Sequence, residues 1–134
     1  MHYLQMSWTN YSKDSFSPTS IVVKNGTNPS FTPPTLPAGN GTTSNGGNCN
    51  VYTDQSHNLG NGPEGSYVWQ FGTDSKNSVS CQYHHPSGTG TTSVTVTPNG
   101  SYQVSFNGST WSSSTIVANP TGTNITQPIY IKSS

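Results

Sequence analysis

The feature that most constrains the fold of this chain is the near absence of strong helix-forming residues. Among 134 residues there are only three Leu and two Ala, whereas Gly occurs 14 times and Pro 10 times. Gly and Pro are the least favourable residues in a helix, and they recur too often here for helices of ordinary length. The remaining apolar residues are mostly β-branched or aromatic, which suits strands. We therefore predict an all-β fold.

Short alternating runs separated by turn-rich clusters predict a single-domain antiparallel β-sandwich of about nine short strands, spanning residues 1–134. Alternation is clearest in Ser66–Gly72 and Ser78–His84, which we predict to form a hairpin. The stretch of residues from about 25 to 50 is rich in Pro, Gly and Asn. We predict that it forms a long wrapping loop with one or two short irregular strands.

A second hairpin is predicted around Pro98-Asn99-Gly100. The runs Thr92–Thr97 and Ser101–Phe106 alternate on either side of this turn. Asn-Gly between two alternating runs is the strongest short-range hairpin signal.

Charge is sparse, with four Lys, no Arg and four acidic residues, so the formal net charge is +0. Nucleic acid binding requires clustered Lys and Arg, so we exclude it. No apolar stretch is long enough for a membrane-spanning helix, and no signal peptide is visible. We expect the chain to be secreted or released to the cell exterior by another route, which is compatible with storage in the cytoplasm.

Cysteine and histidine residues give no sign of a metal centre or a catalytic site. Cys49 and Cys81 are compatible with a disulfide that ties the long loop to the first hairpin, and equally with two free buried thiols. Adjacent His84 and His85 would point to opposite faces of a strand, so they would not chelate one ion. No nucleophile elbow or other local catalytic signature is present. The four histidines are His2, His57, His84 and His85. We therefore expect that the protein is not an enzyme and binds neither a metal ion nor a cofactor.

The aromatic residues carry the strongest functional signal. Trp8, Tyr11, Tyr83 and Trp111 are predicted at strand ends or beside turns, whereas Trp69 lies inside an alternating strand and suits the core. Rings with an apolar body and a polar tip suit a boundary between water and lipid or sugar, although core packing is the alternative for Trp8 and Trp111. An uncharged surface favours a neutral or zwitterionic headgroup, or a sugar, over anionic lipid. Adsorption requires these rings to be displayed together at one end of the sandwich.

Two segments carry a resemblance to a known family. The first is Gly62-Pro63-Glu64-Gly65-Ser66-Tyr67-Val68-Trp69-Gln70-Phe71, and the second runs from Val79 to Thr89. They resemble the aegerolysin family, in which a Gly-x-Glu-Gly or Gly-Thr-Thr-Gly turn opens an aromatic strand. A second strand of that family ends in an aromatic residue, two polar residues, Pro and a Gly-containing turn. Ser7-Trp8 is similar to the Ser-Trp-Gly of the family, and Leu36-Pro37-Ala38-Gly39 is similar to its Pro-Gly turn. The two cysteines are similar to those of fungal members.

The resemblance implies a compact β-sandwich that binds membrane lipids, with sphingolipids favoured. It also implies a larger pore-forming protein as partner in a cytolytic or insecticidal pair. Trp8, Tyr83, His84 and His85 match its motif positions, and we add Tyr11 and Trp111 because they lie near turns. Two alternatives remain open: a carbohydrate-binding, lectin-like β-sandwich, and a structural or adhesive surface module.

Overall fold

The computed structural model describes residues 2–56 and 61–134, and these form ten strands. The strands are β1 Tyr3–Asn10, β2 Ser17–Asn25, β3 Ser30–Thr32, β4 Gly47–Asp54, β5 Glu64–Phe71, β6 Asp74–His84, β7 Ser93–Asn99, β8 Tyr102–Ser105, β9 Ile116–Ala118 and β10 Ile125–Ser133. Five strands in the order β3-β4-β1-β10-β8 make a first sheet, and β2-β5-β6-β7-β9 make a second. The predicted all-β sandwich is confirmed. Within the described residues, no helix has the length and apolarity to cross a membrane.

The first sheet is built around a parallel pair. β1 runs parallel to β10, from Leu4 opposite Ile125 to Asn10 opposite Ile131. β4 pairs antiparallel on the other side of β1, and β8 pairs antiparallel with β10. The other named strand pairs are antiparallel as predicted. The first and the last strand of the described chain are therefore neighbours inside the first sheet.

The structure confirms one predicted hairpin and shows that the other is wrong. β5 and β6 pair directly, with Trp69 opposite Val79 and Glu64 opposite His84. β7 instead pairs with β6 and β9 in the second sheet, whereas β8 pairs with β10 in the first. The turn at Gly100, where φ is 81°, reverses the chain and carries it from one sheet to the other. Turn chemistry fixes a local reversal, but more distant strands decide the pairing.

The stretch from residue 25 to 50 contains short strand segments between its loops, as predicted. It contains β3 and the start of β4, and β4 alternates, with Cys49, Val51 and Thr53 buried. Between these strands Leu36 is fully buried, and Phe16 and Leu36 exchange two backbone hydrogen bonds of 2.9 Å. The ten strands of the described residues agree with the predicted total of about nine.

Aromatic rings supply much of the core where aliphatic residues are scarce. Trp8, Tyr67 and Trp69 meet edge to face, with ring centroids 5.8 to 6.2 Å apart. Trp8 Nε1 donates a 2.9 Å hydrogen bond to the Tyr67 hydroxyl, which in turn donates to Met6 Sδ at 3.3 Å. Large rings bury more area per residue than aliphatic side chains, so a few of them stabilise a chain of this composition.

Candidate functional site

Three residues predicted to touch lipid or sugar lie in the interior instead. Trp8, Tyr83 and His85 are 1%, 2% and 1% exposed, so the prediction that they contact a ligand directly is wrong for this conformation. The sequence predicts Trp8 at a strand end, but β1 continues to Asn10 because β4 and β10 pair with it on both sides. Tyr83 points inward from β6, and a Cβ atom built on Gly65 would lie 2.6 Å from its hydroxyl.

The cysteines are free, so the alternative with a disulfide is not realised. Cys49 lies on β4 of the first sheet and Cys81 on β6 of the second, and both are buried. Cys49 Sγ donates to the carbonyl oxygen of Pro33, whereas Cys81 Sγ contacts Met6 Sδ at 3.8 Å. Burial raises the pKa of Cys49 to about 11 and that of Cys81 to about 12. Thiols that stay protonated make poor nucleophiles, so both belong to the core.

The neighbouring histidines do point in opposite directions, as predicted. The side chain of His84 is 48% exposed on the outer face of the second sheet, whereas His85 is buried and stacks on His2 with centroids 3.7 Å apart. His57 lies outside the described residues. Among those described, no group of three or more His, Cys, Asp or Glu side chains could hold a metal ion.

The hydrogen bonds of His85 fix its neutral tautomer. Nε2 donates to the carbonyl oxygen of Thr123 at 2.7 Å, so Nδ1 of the neutral ring accepts from the Thr92 hydroxyl, also at 2.7 Å. His2 Nε2 donates to the carbonyl oxygens of Pro86 and His85. Burial lowers the pKa of His85 below its ordinary value of 6.5, the Thr123 carbonyl partly opposes this, and His2 and His84 lower it further.

Acid should therefore destabilise the fold through His85. Below about pH 6.5 the unfolded chain binds a proton at this histidine that the folded state resists, so the free energy of unfolding falls until the pH reaches the lowered pKa. Urea unfolding at about pH 7 and about pH 5 should show a smaller acid loss in His85→Asn than in the wild type or His84→Gln. Equal losses in all three proteins would assign the acid sensitivity to other groups. If the variant does not fold, ring-proton NMR of the wild type measures the pKa of His85 directly.

The structure brings two of the predicted site residues together with a third ring. Tyr11 meets Trp111 edge to face at 6.3 Å and stacks on Tyr130 at 6.2 Å. All three are partly exposed on the outer side of the first sheet. Tyr11 follows β1 and donates its backbone N–H to Ile131 on β10, whereas Trp111 comes from the β8–β9 connection. We call Tyr11, Trp111 and Tyr130 the aromatic cluster.

One positive charge lies beside the aromatic cluster, and an ordered loop holds Trp111 in place. Lys132 Nζ lies 4.8 Å from the centroid of the Trp111 ring, which is within cation–π range. Asn107 Oδ1 accepts hydrogen bonds from the backbone N–H groups of Ser109 and Thr110, and Ser112 exchanges two backbone hydrogen bonds with Val104. A loop ordered before binding loses less conformational entropy when it binds.

Tyr130 and Lys132 are not among the predicted site residues, although the sequence contains a signal for them. Ile129 and Ile131 are fully buried, so the residues that alternate with them face outward. Their place beside Tyr11 depends on the parallel pairing of β1 with β10, which brings Tyr11 and Lys132 to the same face of the first sheet. Nothing local in either segment specifies that pairing.

The fold and this site define a class of protein: a two-sheet β-sandwich with little charge and a partly exposed aromatic cluster on the outer face of one sheet. No protein-family model matches the chain, and no curated protein matches it. Among solved structures, it is similar to the RahU protein, whose crystal structure was determined in complex with a Tris molecule. The identity is 15% over 99% of this chain and 96% of RahU, with a TM-score of 0.65. At that identity the likeness shows the fold alone.

Proposed function

We propose that this chain is an aegerolysin-like module that binds the surface of lipid membranes without catalysis. The observation that carries the proposal is the aromatic cluster, in which the ring of Tyr11 contacts those of Trp111 and Tyr130 and all three are partly exposed on a nearly uncharged protein. Tyr and Trp rings of this kind favour the boundary between water and acyl chains. The β-sandwich fold shared with RahU is the fold that the resemblance found in the sequence implies.

The charges near the aromatic cluster favour a zwitterionic headgroup. Lys132 offers one ammonium group to a phosphate, and the faces of the tyrosine and tryptophan rings attract a quaternary ammonium group. With a formal net charge of +0, the protein has no overall attraction to anionic lipid. Sphingomyelin combines both headgroup charges, so we expect it among the preferred lipids.

Vesicle binding tests this proposal. The protein should sediment with vesicles of sphingomyelin and cholesterol, and its Trp fluorescence should shift to the blue. Trp8 and Trp69 are buried, so the shift reports Trp111. Trp111→Ala should abolish most of the shift and weaken binding about tenfold, which corresponds to about 1.4 kcal/mol.

Phe71→Ala is the matched control, because Phe71 is an exposed aromatic residue on the second sheet. This variant should bind vesicles as the wild type does. A wild-type protein that binds no vesicle, or a Trp111→Ala protein that binds as well as the wild type, would contradict the proposal. Binding only to phosphatidylserine vesicles would contradict the headgroup assignment.

The partner and the location follow from the same proposal. A module that adsorbs through a few rings does not perforate a bilayer by itself, so we propose a larger pore-forming protein as its partner. Activity on a membrane surface fits a protein released to the cell exterior. The support for both is the family resemblance, and liposome leakage with and without candidate partners tests the first.

A further inference from the structure

A concave surface, separate from the aromatic cluster, lies on the outer face of the second sheet. It is a shallow pocket of about 180 Å³, in which Glu64 pairs with His84, and Ser66 pairs with Gln82 in the next row. Thr95 continues that second row on β7. We call this surface the polar groove. Its main residues are Lys24, Glu64, Ser66, Gln82, His84 and Thr95.

A β-bulge in the edge strand β2 places Lys24 at the polar groove. Val23 lies opposite Gly65 and Asn25 lies opposite Glu64, so Lys24 is an extra residue with no register partner, which is a β-bulge. A second irregularity follows Thr19, where Ser20 has φ of 50°. Bulges bend a strand and redirect a side chain, and they are frequent next to functional sites.

The carboxylate of Glu64 is oriented within the polar groove. Asn25 Nδ2 donates to Glu64 Oε1 at 3.2 Å, and His84 Nε2 lies 3.9 Å from the same oxygen. The groove thus combines a fixed acceptor with the ammonium group of Lys24, while an amide and hydroxyl groups line the next row. The lysine and glutamate charges balance, so a charged ligand gains little from this site.

We propose that the polar groove binds a neutral saccharide unit. Each hydroxyl group of a sugar can donate and accept a hydrogen bond, which matches a surface that mixes donors and acceptors without net charge. Lys24 donates to one hydroxyl oxygen, Glu64 accepts from a neighbouring hydroxyl, and Gln82 and Thr95 bond a second edge of the ring. Tyr83 is the aromatic residue of the lining, and its ring is buried, so recognition rests on hydrogen bonds.

This site is independent of the proposed lipid-binding function. The polar groove lies on the second sheet and the aromatic cluster on the first, and the two share no residue. A protein with both sites could hold a headgroup and a glycan of the same cell surface. Either site can fail its test without affecting the other.

Amide NMR titration of the whole chain tests the proposal. The probes are the methyl glycosides of galactose, mannose and N-acetylglucosamine, with glycerol as a hydroxylated compound that lacks a ring. At least one glycoside should shift the amide signals of Ser66, Gln82 and Thr95 and leave those of the aromatic cluster unchanged. Glycerol should shift none of these signals. Glu64→Gln and Lys24→Met should each weaken binding about tenfold. Thr126→Ala, exposed on the first sheet, should bind as the wild type does.

The proposal is overturned if no glycoside shifts the groove signals, if glycerol shifts them equally, or if both variants bind as tightly as the wild type. If Glu64→Gln loses its dispersed spectrum, Lys24→Met decides, because Lys24 is exposed and its removal leaves the core intact. Shifts confined to the aromatic cluster would also overturn the proposal.

Discussion

Replacing Trp69 by Ala should lower the free energy of unfolding by about 3–5 kcal/mol. Trp69 is fully buried, and its ring contacts those of Trp8, Phe31 and Tyr67 at 5.9, 5.6 and 5.8 Å. The substitution removes the largest type of side chain from a core with few aliphatic residues, and it breaks three edge-to-face contacts. Urea unfolding followed by circular dichroism measures the loss.

The matched control deletes the same side chain at the surface. Trp111→Ala should cost about 1 kcal/mol or less, because Trp111 is partly exposed and its contacts are with the rings of the aromatic cluster and Lys132. Similar losses at positions 69 and 111 would contradict the assignment of Trp69 to the core.

A milder pair of variants serves if Trp69→Ala does not fold. Trp69 Nε1 has no acceptor among the described residues, whereas Trp8 Nε1 donates to Tyr67. Trp8→Phe should therefore cost more than Trp69→Phe, by on the order of 1 kcal/mol. A larger loss at position 69 would contradict this order.

Replacing Gly65 by Ala should lower the free energy of unfolding by about 1–3 kcal/mol. A Cβ atom here would overlap the carbonyl oxygen of Val22 and would lie 2.6 Å from the Tyr83 hydroxyl. The carbonyl belongs to the strand paired with β5, and the Tyr83 ring is buried, so neither can move freely. Thermal and urea unfolding should both report the loss.

Gly88→Ala is the matched control for this substitution. A Cβ atom at Gly88 would meet nothing within 4 Å, and its φ is outside the left-handed region. The control should therefore change stability by about 0.5 kcal/mol or less. If the Gly65 variant were as stable as the Gly88 variant, the close packing of β2 on β5 would be wrong. Gly65 is the second glycine of the Gly-x-Glu-Gly motif, and the lack of a side chain there lets the Val22 carbonyl and the Tyr83 hydroxyl approach closely.

The predictable part of the fold is the part set by neighbours in sequence. The aromatic residues at every second position of Ser66–Gly72 predict β5, and the polar turn that follows predicts that β6 pairs with it. The Asn99-Gly100 turn was also found, but the sheets joined at its two ends depend on β9 and β10, which lie further along the chain. Local turn chemistry contains no information about those partners.

The candidate site was only partly predictable for the same reason. Tyr11 and Trp111 were chosen separately as rings near turns, and their contact at 6.3 Å depends on a loop that crosses from β8 to β9. Trp8 and Tyr83 satisfied the same criterion yet are buried, because the strands around them extend further than alternation alone shows. Position near a turn does not distinguish a displayed ring from a packed one.

The parallel pairing of β1 with β10 has a consequence for how the protein folds. Leu4 on β1 pairs with Ile125 on β10, so the first sheet is complete only when residues far apart in the sequence have met. Closing so long a loop costs conformational entropy. Proteins dominated by such distant contacts have high contact order and fold in about milliseconds to seconds. Before β10 pairs, β1 has an unpaired edge, and β8 lacks the one strand that it pairs with among the described residues. We therefore expect this sheet to form cooperatively and late.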